Sequence, residues 1–134
     1  MRSEADVDRR GEDLEERLLD FAARVGKVVD ALPESRLGRH IAGQLVRSGT
    51  SPAPNYAEAC AAESTRDFIH KLGIALKELR ESRTWIKLIL KVELLPEQRM
   101  MQLLDEANQL CNIVGKSIVT AKANQKGRQL KNVK

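Results

Sequence analysis

Apolar residues recur along this chain at alternating spacings of three and four, and that beat restricts the fold more than any other property of the sequence. Leu14, Leu18, Phe21, Val25, Val28 and Leu32 carry it first, and Phe68, Leu72, Ala75, Leu79, Ile86 and Leu90 carry it in the middle. Met100, Leu103, Ala107, Leu110, Val114, Ile118 and Ala121 carry it near the end. On a strand such residues would scatter over both faces. On a helix they form one stripe with a period of about 3.5 residues, which is buried only by laying helix against helix. An all-α fold is expected.

Boundary signals divide the chain into helices. The first is predicted from about Glu12 to Leu32, because Pro33 pushes the residue before it out of the helical region. Ser35 is a plausible N-cap for the second, which should carry Leu37, Ile41 and Leu45 inward. Pro52 and Pro54 would delete hydrogen bonds from a continuous helix; with Ser51 as N-cap and Pro52 at the first helical position, both prolines fall in a turn that needs no donors. A kink or restart is therefore predicted at residues 49–52. Ser64-Thr65-Arg66-Asp67 has the form of a capping box and opens a third helix reaching about Val92, and Pro96 begins a fourth that ends near Asn124. Loops this short make sequential helices antiparallel neighbours, so the expected architecture is an antiparallel up-down-up-down four-helix bundle.

With 134 residues and 42% hydrophobic content, the chain suits one core. Residues 1–11 are read as a flexible N-terminal segment, 12–124 as the bundle domain and 125–134 as a basic flexible tail. No run approaches the roughly 18 apolar residues of a membrane span, and the Met1–Asp6 stretch is not that of a signal peptide. A cytoplasmic protein without a membrane partner is expected. Cys60 and Cys111 lack CxxC spacing and should be free in a reducing compartment.

The net charge of +4 is unevenly laid out: residues 1–20 hold eight acids and four bases, whereas 122–134 hold five bases and no acid. On a 100°-per-residue wheel, Arg66, His70, Lys77, Arg80, Lys87 and Lys91 share about a third of the third helix, with Arg83 at the margin. This basic stripe is about 37 Å long at 1.5 Å per residue. It could track nucleic-acid phosphates, helped by Lys126, Arg128 and Lys131; the competing reading is a solvated face partly paired with Glu78, Glu81 and the acidic first helix. Aromatics make up only 3% of the chain, so any such binding should read backbone and shape rather than stack on bases.

Catalytic patterns are missing. A di-iron carboxylate bundle needs two Glu-x-x-His motifs; here Asp67-x-x-His70 is the one approximation, and Leu37 stands at that offset from His40. There is no phosphate-binding glycine loop, GxSxG elbow or HExxH, and Cys60 with His70 makes no persuasive nucleophile pair. Neither an enzyme nor a metal or other cofactor is expected.

Gln44, Ser48, Ser51, Asn55 and Glu58 repeat at spacings of four and three, with Arg47 beside them. This seam is polar where the other helices are apolar. Since Leu37, Ile41, Leu45 and Ala57 must share the inner side, part of it should lie at a helix–helix or subunit boundary, where polar groups fix register and oligomer state.

The same residues carry a resemblance. Gln44-Leu45-Val46-Arg47-Ser48, then Ser51, then Asn55-Tyr56-Ala57-Glu58, then Asp67-Phe68, Leu72-Gly73-Ile74-Ala75-Leu76 and Glu81 resemble the four-helix-bundle family of proteins encoded in intervening sequences of bacterial 23S rRNA genes. The chain departs from the pattern at Ala59, where members carry Gly, and at Lys77 and Glu78, where they carry a small residue and Ser. The resemblance implies a homopentameric ring, and it extends to the accessory protein of diversity-generating retroelements, which binds nucleic acid and a reverse transcriptase. The expected function is a non-enzymatic, self-assembling bundle binding RNA or DNA through its basic surface. The alternative is a structural or adaptor oligomer that binds a protein partner.

Overall fold

The computed structural model describes residues 4–132, with side chains from 13 to 131. Five α-helices follow one another: α1 (Glu4–Ala31), α2 (Arg36–Thr50), α3 (Pro52–Cys60), α4 (Thr65–Lys91) and α5 (Glu97–Asn132). Among the described residues there is no strand. The protein is all-α.

Local chemistry sets most helix ends. α1 stops before Pro33, and Ser35 opens α2 with extended backbone (φ −81°, ψ 169°) while its Oγ accepts the Gly38 N–H at 3.0 Å. Ser64 repeats the device for α4, accepting the Asp67 N–H at 3.1 Å. Each hydroxyl satisfies a first-turn donor that has no carbonyl partner within its helix. α4 ends in a Schellman turn: Glu93 takes φ 54°, its N–H donates to the Leu90 carbonyl at 3.2 Å, and the Leu94 N–H donates to the Ile89 carbonyl at 3.1 Å. Leu94 then packs against the core.

Ser51 departs from its expected role. It alone separates α2 from α3, yet its backbone stays helical (φ −74°, ψ −35°) and its side chain makes no capping bond. Ser35 and Ser64 cap from extended backbone, whereas Ser51 stays helical, and of the two N–H groups that a cap can take, the one at the third position is absent in Pro54. Instead Asn55 Nδ2 donates to both Ser51 O and Ser51 Oγ, each at 2.9 Å. The chain passes through with helical bonds from Ser51 N to Arg47 O and from Asn55 N to Ser51 O, both 3.2 Å.

Two predicted helix ends also move outward. α1 begins at Glu4 rather than near Glu12, and α5 runs past Asn124 to Asn132. Gln125, Lys126, Arg128, Gln129 and Leu130 in that last stretch are good helix formers that outweigh Gly127, and Lys131 lies in the last turn, where cations complement the helix dipole. Much of the segment read as a tail is therefore helical, while residues 1–3 and 133–134 lie outside the described residues.

The three stripes build the core. Leu18, Phe21 and Val25 from α1, Leu72, Leu79 and Ile86 from α4, and Met100, Leu110 and Val114 from α5 are fully buried, joined by Ile41 and Leu45 of α2 and by Tyr56 of α3. Leu37 was expected inward but is 40% exposed; it shares the first turn of α2 with Gly38, and Gly38 is the residue turned inward there. α1 packs on α2, α3 and α5, and α4 packs on the same three, whereas α1 and α4 do not meet among the described residues. Contacts between helices run in opposite numerical order. Ser48 meets Ser82 while Glu58 meets Lys71, and Arg83 meets Asn108 while Thr65 meets Arg128.

Candidate functional site

Ser48, Arg47 and Glu58 of the polar seam meet partners on α4, whereas Gln44 bonds to Arg47 and Asn55 to Ser51. Ser48 and Ser82 are both completely buried, and the Ser82 hydroxyl lies 2.9 Å from Ser48 Oγ and 3.0 Å from the Glu78 carbonyl. Among the described residues no buried side-chain nitrogen or oxygen lacks a partner. Beside this pair Arg47 donates to Glu78 at 2.9 Å, to Glu81 and to Gln44 at 3.4 Å. Trp85 Nε1 donates to the same Glu81 carboxylate at 3.3 Å, and the ring of His40 meets Trp85 edge-on at 5.7 Å. Lower down, Lys71 pairs with Glu58 at 2.8 Å, which raises the Lys71 pKa. Exposed pairs of this kind contribute at most about 1 kcal/mol each. Their value is in register, since a one-turn slip of α2 against α4 would strand the buried hydroxyls and the arginine together.

Ser82 is the residue that the sequence reading missed. It occupies the vacant step of the middle stripe between Leu79 and Ile86, and that gap was the available signal. Removing one hydroxyl leaves the other with poorer bonding in a dry interface. Ser48→Ala is expected to cost about 1 kcal/mol, and the double variant with Ser82→Ala less than the sum of the two single changes. Urea unfolding of the four proteins checks this, and strictly additive losses would show that the hydroxyls do not act as a pair.

The basic stripe is exposed along its whole length. Arg66, Lys77, Arg80, Lys87 and Lys91 all lie on the outer surface of α4, as does His70. None of them enters an ion pair among the described residues. The partners expected to quench the stripe are engaged elsewhere, Glu78 and Glu81 with Arg47, and α1 lies across the bundle from α4. Arg83 leaves the stripe, being half-buried and bonded to Asn108 at 3.3 Å. Lys126, Arg128 and Lys131 are exposed near the end of α5, and Arg128 donates to Thr65 Oγ1 at 3.4 Å, which brings that basic end beside Arg66. The site residues thus fall into two groups, a seam turned toward α4 and a cationic surface turned away from it.

Little here is tuned for chemistry. Burial raises the Tyr56 pKa, with contributions from Cys60 and Glu15, so its hydroxyl stays protonated. Burial also raises the Cys111 thiol against the opposing effect of Arg83 and Arg80, which makes it a poor nucleophile. Cys60 and Cys111 are free. Among the described residues no three His, Cys, Asp or Glu side chains are placed to hold a metal ion, and no helix is long and apolar enough to cross a membrane.

An all-α protein with one shared core, a polar seam along α2 and α3 and a cationic face without ion pairs among the described residues is thereby defined. The chain belongs to the family of 23S rRNA-intervening sequence proteins, whose description matches residues 13–116. A solved structure from Bacteroides thetaiotaomicron, a protein of unknown function from the S23 ribosomal protein family, superposes with a TM-score of 0.74 at 30% identity. The match covers 78% of this chain and 97% of that one. No curated protein matches the chain.

Proposed function

We propose that this chain is a non-enzymatic, up-down-up-down four-helix bundle, bent at residues 49–52, that assembles with copies of itself and binds the backbone of RNA or DNA along α4. The opposed numbering of the contacts that α4 makes with α2 and α3, and of those it makes with α5, supports the bundle order. The resemblance supplies five as the expected number of copies, and the free cysteines suit a reducing, cytoplasmic setting. One observation carries the nucleic-acid reading: five cations share one exposed helix face, and none is neutralised by a described carboxylate. Such a face attracts polyanions, and each phosphate contact releases counterions. An assembly would repeat the face and multiply weak contacts. The S23 ribosomal protein family name of the structural neighbour puts ribosomal RNA first among the ligands to test.

Lys77→Glu with Lys91→Glu is the direct test, because both side chains are exposed and the fold does not use them. Fluorescence anisotropy with a structured RNA and with duplex DNA across a salt series should show weaker binding to both. The slope of log affinity against log salt should flatten by about 0.7–0.9 for each lost contact, with no change in preference between sequences. Unchanged affinity and slope would leave the stripe a solvated face, and the adaptor reading would replace this one.

A further inference from the structure

Two exposed surfaces on opposite sides of the bundle complement each other in charge, and each carries exposed apolar side chains. On α1, Asp13, Glu16 and Asp20 are exposed around Leu19, a large apolar side chain left 47% exposed. Across the molecule, α4 and α5 border an open groove of about 670 Å³ lined by Leu76, Arg80, Lys116, Ile118 and Val119, with Val119 68% exposed. Gly115 also lines the groove, and a side chain added there would enter open space. Among the described residues neither surface is satisfied within the chain. The three α1 acids and the groove's Arg80 and Lys116 make no ion pair among the described residues, and α1 does not meet α4.

We infer that the acidic face of α1 in one copy docks into the α4–α5 groove of a second copy, with Leu19 against the Leu76–Val119 lining and Glu16 and Asp20 against Arg80 and Lys116. A partner on this groove must present an apolar side chain among carboxylates on a helix, and the chain's own α1 does so on a face that the same groove cannot reach within one molecule. The contact is head-to-tail, because the two surfaces differ, so each copy keeps one donor face and one acceptor face and the assembly grows until it closes. Charge orients the encounter and the buried Leu19 supplies the contact that remains at moderate salt. Arg66, Lys77, Lys87 and Lys91 lie outside the groove lining and stay open to solvent, so the contact takes Arg80 from the stripe and leaves its other four cations for phosphates. This inference rests on the self-assembly reading and names its interface.

A charge exchange tests it, using light scattering on the full chain freed of nucleic acid. Glu16→Lys with Asp20→Lys makes both faces basic, and Arg80→Glu with Lys116→Glu makes both acidic. Each double variant alone should fall to the mass of one chain, 15.0 kDa, while remaining helical by circular dichroism. An equimolar mixture should associate again, well above the mass of one chain, because each variant then meets a complementary face; the contacts must alternate, so its closed species hold even numbers of chains. Gly115→Leu, which fills the groove without changing charge, should also give single chains. If the wild type assembles and all three variants keep its mass, the assignment of the interface is overturned while self-assembly stands. A wild type that is a single chain at micromolar concentration overturns self-assembly itself and this contact with it.

Discussion

Replacing Phe21 with alanine is expected to remove about 3–5 kcal/mol of folding stability, the largest loss of any single change considered for this protein. Phe21 is completely buried and heads the fully buried side chains by size. It lies on the α1 stripe between Leu18 and Val25, both also completely buried, so those neighbours can refill the space only by breaking their own packing. A loss of that size is a large part of the roughly 5–15 kcal/mol that holds a typical domain together. Leu19→Ala, two residues away but on the outer face, should change stability by no more than about 0.5 kcal/mol. Urea unfolding with circular dichroism separates the two, and equal effects would show that the α1 stripe is not the buried one. The pair also isolates assembly from folding, because Leu19 is the apolar anchor proposed for the contact between copies. Its alanine variant should remain folded as it loses mass.

The core was legible because burial on a helix imposes a period, and that period is written in residue types. Leu18, Phe21, Val25, Leu72, Leu79, Leu110 and Val114 could be assigned inward by counting alone, and all are buried. Ser35 and Ser64 were equally readable, since a hydroxyl three residues before a free N–H is a local arrangement that needs no tertiary partner. The reading failed where two local rules compete or where the partner is distant in sequence. At Ser51 the expected cap gave way because its backbone stays helical between α2 and α3, and Pro54 removes one of the two donors that a cap can take. Arg47 had no assigned partner, and Glu78 and Glu81 were set only against the basic stripe, in the competing reading, because they share its helix. The fold instead turns them toward α2, where a single guanidinium reaches both carboxylates. Ser82 went unnamed for a similar reason. A lone serine in an apolar stripe gains meaning only once the buried Ser48 stands opposite it.

Gly38→Ala should destabilise the fold by about 2–4 kcal/mol although it adds one methyl group and, on propensity alone, favours a helix. A Cβ at this position would lie 2.0 Å from the Pro33 carbonyl oxygen and 3.0 Å from Ser35 Oγ. The first of these is backbone in the turn that joins α1 to α2, so relief requires moving the turn rather than rotating a side chain. Moving it draws Ser35 Oγ away from the Gly38 N–H, and the N-cap is weakened as well. Gly49→Ala meets a softer obstacle, the Val25 methyl groups at 2.7 and 2.8 Å, and rotation of Val25 or a small shift of α1 can partly relieve it. Its loss should be smaller, about 1–2 kcal/mol after the gain in helix propensity. Gly73→Ala, where a Cβ meets nothing within 4 Å, should stabilise α4 by about 0.5–1 kcal/mol. Thermal and urea unfolding of the three variants should therefore rank them Gly73, Gly49 and Gly38 from most to least stable. If Gly38→Ala is neutral, the close approach of α2 to the Pro33 turn is wrong, and with it the register that brings Ser48 to Ser82 and Arg47 to its two carboxylates.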